Sequence, residues 1–136
     1  MFEQQPQSRI LIVDDNAGVR RDLRQLLEVG GGFEVVGEAE NGREAIHMAT
    51  LLLPDVVVMD LAMPGLDGHA AAAAIKSSPA GCRLVALTVH SDAATRAKAL
   101  AAGFDAFVVK GAPLLELLGA IGSFANGKPA ETGGIS

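Results

Sequence analysis

The sequence predicts an α/β fold, a doubly wound five-stranded parallel sheet with helices on both faces. Five short apolar segments led by β-branched residues are typical of strands that a parallel sheet buries on both sides. Five segments with apolar residues at helical spacing alternate with them over short connections. Because parallel crossovers are right-handed, the helices must cover both faces. The strand order 2-1-3-4-5 is the common one for this number of strands.

The predicted strands are short apolar runs, each bounded by polar, glycine or proline residues. In chain order they are 9–13, 33–38, 56–59, 83–87 and 106–109. The third is a continuous run, VVVM, that ends on Asp60. A Met-Pro-Gly turn follows at 63–65, so the chain must leave the sheet sharply and hold this aspartate at the carboxyl edge.

The predicted helices cover about 17–29, 42–53, 68–75, 92–102 and 113–124. Three of them begin at residues that can accept a hydrogen bond from a first-turn N–H, and the predicted N-caps are Asn16, Asp67 and Ser91. Gly103 closes the fourth helix at the position that favours glycine. The glycine triplet 30–32 is interpreted as a plain turn, because it follows a helix and lacks the Lys and Ser/Thr of a phosphate-binding loop.

Length and composition predict one folded domain over residues 8–125, with a disordered leader at 1–7 and a flexible tail or linker at 126–136. Apolar residues make up 49% of the chain, which excludes disorder, and no apolar run is long enough to span a membrane. The first residues lack a secretory signal, so we expect a cytoplasmic protein. The net charge of −5 argues against direct nucleic-acid binding by this chain.

Four of the five predicted strands end in residues with a carboxylate, a hydroxyl or an ammonium group, which can take part in phosphate chemistry. These residues are Asp14, Asp15, Asp60, Thr88 and Lys110. Because the carboxyl ends of parallel strands meet at one edge, we expect the five side chains to converge there although they are distant in sequence. The set is more specific than any one of its members, and it predicts a site in which Asp60 is a phosphate acceptor.

The acidic residues of this set predict a magnesium site. A carboxylate that attacks a phosphoryl donor is repelled by it, and two more acids nearby increase the repulsion. Mg²⁺ prefers oxygen ligands and keeps several waters, which suits acids at an exposed edge. We expect Asp15 and Asp60 to ligate directly, the backbone carbonyl of Ala62 to reach from the turn, and Asp14 to act directly or through water.

Lys110 and Thr88 complete the predicted chemistry. The Lys110 ammonium offers a compact positive charge for phosphoryl oxygens, and the Thr88 hydroxyl can donate a hydrogen bond to another of them. Phosphoryl transfer requires mainly such positioning and charge neutralisation. A phosphorylated Asp60 would carry new acceptor oxygens that can draw Thr88 and its loop inward.

These motifs together resemble the receiver domain of bacterial two-component response regulators, over roughly residues 8–125. The resemblance is carried by the acid pair after the first strand, MDLAMPGLDG, LT before a helix, and FVVK on the fifth strand. It implies a flavodoxin-like receiver fold in which Asp60 takes phosphate from a sensor histidine kinase or phosphotransfer protein, with Mg²⁺ required. It also implies that Thr88 and Phe107 move together in switching, and that the domain is not an ordinary enzyme.

Three details refine the resemblance. Lys110-Gly111-Ala112-Pro113 is similar to the subclass with a LuxR-type helix-turn-helix output domain, which implies transcription regulation through a domain outside this chain. Val89 is larger than the residue usual in the family at that position and is expected to restrict access to the phosphoryl group. Phe107 lacks the hydroxyl of the commoner tyrosine, so we predict a switch biased inward. His90, at the mouth of the site, is a candidate for tuning phosphate hydrolysis.

Other interpretations are possible for the same chain. The last helix is more apolar than a core stripe requires, so we expect part of it to pack on a second receiver or on an output domain. The resemblance implies that the face of the fourth helix, fifth strand and fifth helix changes its partners, which makes a homodimer through that face a candidate. A stand-alone receiver acting by protein–protein interaction is the main alternative to a DNA-binding regulator. An aspartate-nucleophile phosphatase usually has a second aspartate where this chain has Ala62, which argues against it. A flavin-binding module is disfavoured because the chain has no Trp or Tyr to stack on the ring.

Overall fold

The computed structural model describes residues 8–30, 32–63, 68–78 and 81–122. Its five strands are β1 (Arg9–Val13), β2 (Glu34–Ala39), β3 (Val56–Asp60), β4 (Arg83–Thr88) and β5 (Ala106–Val109). All neighbouring strands pair in parallel, in the order β2-β1-β3-β4-β5. The predicted fold class and strand order are therefore confirmed. Asp60 and Thr88 are the last residues of their strands.

The helices are α1 (Ala17–Gln25), α2 (Gly42–Leu52), α3 (Gly68–Ser77), α4 (Ala93–Ala102) and α5 (Leu114–Gly122). A π-helical turn, Leu26–Gly30, continues α1, where a single α-helix over 17–29 was expected. The predicted cap Asn16 accepts a hydrogen bond from the Val19 N–H at 3.0 Å. Within the described ranges, every helix is too short or too polar to span a bilayer.

The prediction that Ser91 caps the fourth helix was wrong, because the cap is Asp92. One carboxylate oxygen of Asp92 accepts the Thr95 N–H at 3.0 Å and the other accepts the Thr95 hydroxyl at 2.8 Å. A carboxylate can hold both donors at once, whereas a serine hydroxyl has one oxygen. The predicted cap Asp67 and the extension of the last helix to residue 124 lie outside the described residues, as do the leader 1–7 and the tail 126–136.

The sheet is buried on both faces, and β3 is its centre. Side chains alternate along a strand, so Val57 and Met59 point to one core layer and Val56 and Val58 to the other. The first layer lies under α2, α3 and α4, and the second lies under α1 and α5. The side chains of these four β3 residues are fully buried, which explains why the strand is a continuous apolar run.

Gly68 sets how closely α3 approaches the end of β3. A Cβ atom at this position would lie 3.1 Å from the Asp60 carbonyl oxygen and 3.1 Å from the Leu61 Cα. These neighbours are backbone atoms, which cannot rotate away as a side chain can. Glycine therefore allows the start of α3 to pack directly against the strand end that carries Asp60.

Candidate functional site

Three residues from distant parts of the chain meet at the carboxyl edge of the sheet. Asp14 follows β1 and is 1% exposed, and Asp60 ends β3 and is 4% exposed. Lys110 follows β5, and its Nζ lies 3.0 Å from Asp60 Oδ2 and 3.2 Å from Asp14 Oδ2. β4 separates β5 from β3 in the sheet, so the long lysine side chain is needed to reach both carboxylates.

Asp14 is held by its backbone as well as by its carboxylate. Its N–H donates to the Ala39 carbonyl at 3.0 Å, which extends the β1–β2 pairing by one residue. Its Oδ1 accepts the Asn16 N–H at 2.9 Å. Its carbonyl oxygen accepts a hydrogen bond from Arg20 Nη1 at 2.6 Å. Its Oδ2 accepts a hydrogen bond from Lys110. Every hydrogen-bonding group of Asp14 therefore has a partner, and its side chain has one defined orientation.

Asp60 combines burial with a partly compensated charge. Burial raises the pKa of its carboxyl, and the nearby negative charge of Asp14 raises it further. The Ala62 N–H, which donates to Oδ1 at 3.0 Å, and the Lys110 ammonium both lower this pKa, but the overall shift is upward. Burial lowers the pKa of Lys110, but hydrogen bonds and charges from Asp60 and Asp14 outweigh it and raise that pKa overall. Lys110 therefore stays positively charged between the two carboxylates at neutral pH.

The acidic residues could hold a divalent cation. Asp14, Asp15 and Asp60 each offer one carboxylate oxygen, and these oxygens lie within 4.8 Å of one another. Asp15 is exposed while the other two are buried, so the cluster opens to solvent on one side. Three carboxylates near one lysine leave an excess of negative charge, and hard oxygen ligands of this kind fit Mg²⁺. Ala62, the predicted backbone ligand, is exposed and lies two residues after Asp60.

Thr88 lies beside the acceptor strand. Asp60 pairs in register with Leu87, so Thr88 is one residue further along the neighbouring strand. Thr88 is 3% exposed, and its Oγ1 accepts the His90 N–H at 3.1 Å. A hydroxyl that accepts one hydrogen bond still has its own proton to donate. Val89 is 65% exposed, in the loop that follows.

Phe107 lies inward in this structure, with its side chain buried. It pairs with Ala86 on β4 and is 9% exposed. The Arg96 guanidinium, from α4, lies 4.8 Å from the centroid of its ring, a distance typical of a cation–π contact. This contact covers the ring from the side of α4.

Sequence reasoning missed two arginines, Arg20 and Arg96, that contact the site or its neighbours. Arg20 reaches the Asp14 carbonyl, and Arg96 covers the Phe107 ring. Both lie in helices among other charged residues, where an arginine is ordinary. The available signal was position: each lies in the first turns of a helix that starts at the site's edge of the sheet.

Comparisons with known proteins agree with this geometry. The family model for the response regulator receiver domain matches residues 10–122. The response regulator UvrY of Escherichia coli K12 is 39% identical over 119 residues, which are 88% of this chain and 55% of UvrY. The probable transcriptional regulatory protein NarL of Mycobacterium tuberculosis H37Rv is 32% identical over 141 residues, covering 100% of this chain and 65% of NarL.

Solved structures show the same fold. A LuxR-family two-component response regulator from Aurantimonas sp. SI85-9A1 has a TM-score of 0.84 and 36% identity, covering 93% of this chain and 90% of that one. The receiver domain of the M. tuberculosis NarL has a TM-score of 0.85 and 31% identity, covering 91% of this chain and all of that one. The chain thus spans about half to two thirds of the curated relatives and nearly all of a solved receiver domain.

Proposed function

The chain belongs to the response regulator receiver domain family, and we propose that it is a phosphorylation-dependent switch in which Asp60 accepts a phosphoryl group from a histidine kinase or phosphotransfer protein. One observation carries this proposal. Asp60 ends the central strand, contacts Lys110 at 3.0 Å and shares a cluster of carboxylates with Asp14 and Asp15. The family is not one of classical enzymes, and we propose that this chain promotes only its own phosphorylation and dephosphorylation.

The proposed transfer uses groups already at the sheet edge. A carboxylate oxygen of Asp60 forms a bond to phosphorus as the bond from phosphorus to the donor's histidine nitrogen breaks. The electron pair of the broken bond stays on that nitrogen. Lys110 turns from Asp60 Oδ2 toward a phosphoryl oxygen, and the Thr88 hydroxyl donates to another. Both contacts neutralise charge that would otherwise oppose the attack.

Receiver domains generally bind Mg²⁺, and the donor set of this chain suits it. We propose that Asp15, Asp60 and the Ala62 carbonyl hold the ion, with Asp14 acting directly or through water. When bound, Mg²⁺ supplies positive charge that offsets the repulsion between the acids and the incoming phosphoryl group. The exposed position of Asp15 leaves that side of the cluster accessible to the ion and to a donor.

The proposed output is a change of partner at the face made by α4, β5 and α5. Thr88 and Phe107 would switch together: phosphate on Asp60 would draw Thr88 inward and would hold Phe107, on the neighbouring strand, in the inward position that it occupies in this structure. Relatives such as NarL are named as transcriptional regulators, so we propose that this domain, over 8–125, controls a DNA-binding output domain of a longer cytoplasmic protein. Homodimerisation through the same face is part of the proposal.

The experiment that tests the acceptor is intact mass spectrometry after incubation with acetyl phosphate or phosphoramidate and Mg²⁺. We expect one phosphoryl adduct on the wild type and none on Asp60→Asn or in a sample with chelator. Persistence of the adduct in Asp60→Asn would place the phosphate elsewhere and contradict the proposal. Loss with chelator but not with Asp60→Asn would separate the metal requirement from the identity of the acceptor.

A further inference from the structure

We infer that Arg20 is a positioning residue for the metal-binding acids, and that it acts on the peptide group between Asp14 and Asp15. The inference rests on the proposed function only in that these acids bind Mg²⁺. Within the described residues, the hydrogen bonds of the Arg20 side chain are with the Asp14 carbonyl and with Glu38, and not with a carboxylate oxygen of the cluster. Its contact is with the backbone from which the cluster is built.

The contacts of Arg20 form a bridge between the site and β2. Its Nη1 donates to the Asp14 carbonyl at 2.6 Å, and its Nε donates to Glu38 Oε1 at 2.9 Å. The other Glu38 oxygen accepts Arg24 Nε at 2.8 Å. The Arg20 side chain is only 15% exposed. The guanidinium of Arg20 is therefore fixed at both ends, whereas Arg24 pairs with Glu38 and makes no contact with the Asp14 carbonyl.

Planarity of the peptide bond carries this constraint to Asp15. The Asp14 carbonyl and the Asp15 N–H belong to one rigid group, so fixing the carbonyl fixes the direction in which the chain enters Asp15. Asp14 has further anchors in Asn16 and Lys110. The Asp15 carboxylate is exposed and depends more on the backbone for its position. Loss of Arg20 should therefore affect the contribution of Asp15 most.

The bridge requires arginine rather than any cation. A guanidinium presents several N–H donors in a rigid plane, so one side chain can serve Glu38 and the Asp14 carbonyl together. A lysine keeps the charge but has a single ammonium on a flexible chain. Arg20→Lys therefore tests geometry with charge held constant. Arg24→Lys is the matched control, because Arg24 also pairs with Glu38 from α1 but has its other contact with Glu28.

The test is an NMR-monitored Mg²⁺ titration of the unphosphorylated, ¹⁵N-labelled chain. Mutation of a residue that orients a metal ligand without contacting the metal typically lowers metal affinity at least tenfold. We therefore expect Arg20→Lys to weaken Mg²⁺ binding about tenfold. We expect Arg24→Lys to change it less than about twofold, since it leaves the peptide between Asp14 and Asp15 untouched. The same spectra report whether each variant is folded.

Equal weakening by the two variants would show that the ion-pair network acts only on general stability, and it would overturn the inference. Unchanged affinity in Arg20→Lys would also overturn it, and would leave phosphorylation of Asp60 unaffected as a proposal. A wild type that binds no Mg²⁺ would instead contradict the metal part of the proposed function, and this inference with it. If Arg20→Lys does not fold, Glu38→Ala tests the bridge from its other end, because it removes the oxygen that accepts Arg20 Nε: weaker Mg²⁺ binding supports the inference, and wild-type affinity overturns it.

Discussion

Asp60, the proposed acceptor, lies in surroundings that do not favour its own ionised form. It is buried and near Asp14, and these effects raise its pKa despite the hydrogen bonds from Ala62 and Lys110. A raised pKa in the folded state means that ionisation opposes folding above that pKa, and that the effect vanishes below the pKa of the unfolded chain. The charge that the proposed chemistry requires therefore costs stability at neutral pH.

Asp60→Asn should raise the Tm at pH 7 without Mg²⁺, because the amide removes the buried charge while Lys110 keeps its contact with Asp14. The advantage should shrink as the pH falls through the raised pKa of Asp60, and it should vanish below the ordinary pKa of an aspartate, about 4. Thermal unfolding followed by circular dichroism across this pH range measures both effects. An unchanged or lower Tm at pH 7 would mean that the Lys110 ion pair outweighs burial.

A matched control is Asp105→Asn. The Asp105 carboxylate accepts hydrogen bonds from Lys76 Nζ and from the Leu84 N–H, both at 2.8 Å. Replacing it should weaken the Lys76 contact and lower the Tm. Opposite signs for the two variants would show that the Asp60 effect comes from its surroundings, and not from the loss of any one acid.

Among the elements, the junction between β3 and α3 is the one that most directly sets the site. Gly68 is the first residue of α3 and lies close to the Asp60 carbonyl. A Cβ atom on residue 68 would be 3.1 Å from that carbonyl oxygen, which is too close. β3 is buried between two core layers and cannot shift to relieve the contact. A larger residue must therefore displace either the start of α3 or the strand end that carries the acceptor.

Gly68→Ala should lower the free energy of unfolding by about 1–3 kcal/mol, the usual cost of overpacking a rigid site. It should also slow phosphoryl labelling, because the strand end shifts. Urea denaturation and the rate of adduct formation measure the two effects. Gly119→Ala is the control: in α5 a Cβ there meets nothing within 4 Å, so helix propensity alone should raise stability by up to about 1 kcal/mol. Equal effects of the two variants would contradict the steric account.

At the scale of the whole molecule, large apolar side chains remain exposed on the face proposed to change partners. Leu115 on α5 is 80% exposed, and Leu100 on α4 is 51% exposed. The inward face of α5 is already used, since Leu117 and Ile121 pack into the core. Leu115 therefore does not contribute to the core of the domain, and its exposed side chain can pack against a second copy or an output domain.

Leu115→Glu should reduce self-association of the activated protein, because a charge would replace an apolar contact. Size-exclusion chromatography with light scattering, in Mg²⁺ and the phosphate mimic beryllofluoride, gives the mass of the particle. We expect a dimer for the wild type and for Leu51→Glu, whose leucine is 66% exposed on α2, and a monomer for Leu115→Glu. A monomeric wild type at high concentration would contradict the homodimer.

Pattern alone was sufficient for the fold and for placing three of the proposed site residues at one edge of the sheet. Apolar runs and helical spacing predicted every strand and α-helix that the structure describes, with shifts of a few residues at their ends, but not the π-helical turn Leu26–Gly30. Because parallel strands all deliver their carboxyl ends to one edge, Asp14, Asp60 and Lys110 could be placed together without coordinates. Their contacts at 3.0–3.2 Å confirm that placement, whereas their chemical roles remain proposals.

The tertiary structure decided what depends on distance and direction rather than on order along the chain. The contacts of Arg20 with Asp14 and of Arg96 with Phe107 depend on which way a long side chain turns from its helix. The closeness of Gly68 to Asp60 depends on how two elements pack. Periodicity reports which face of an element is buried, but it carries no information on which atoms meet there, because that is settled by close packing of the whole core.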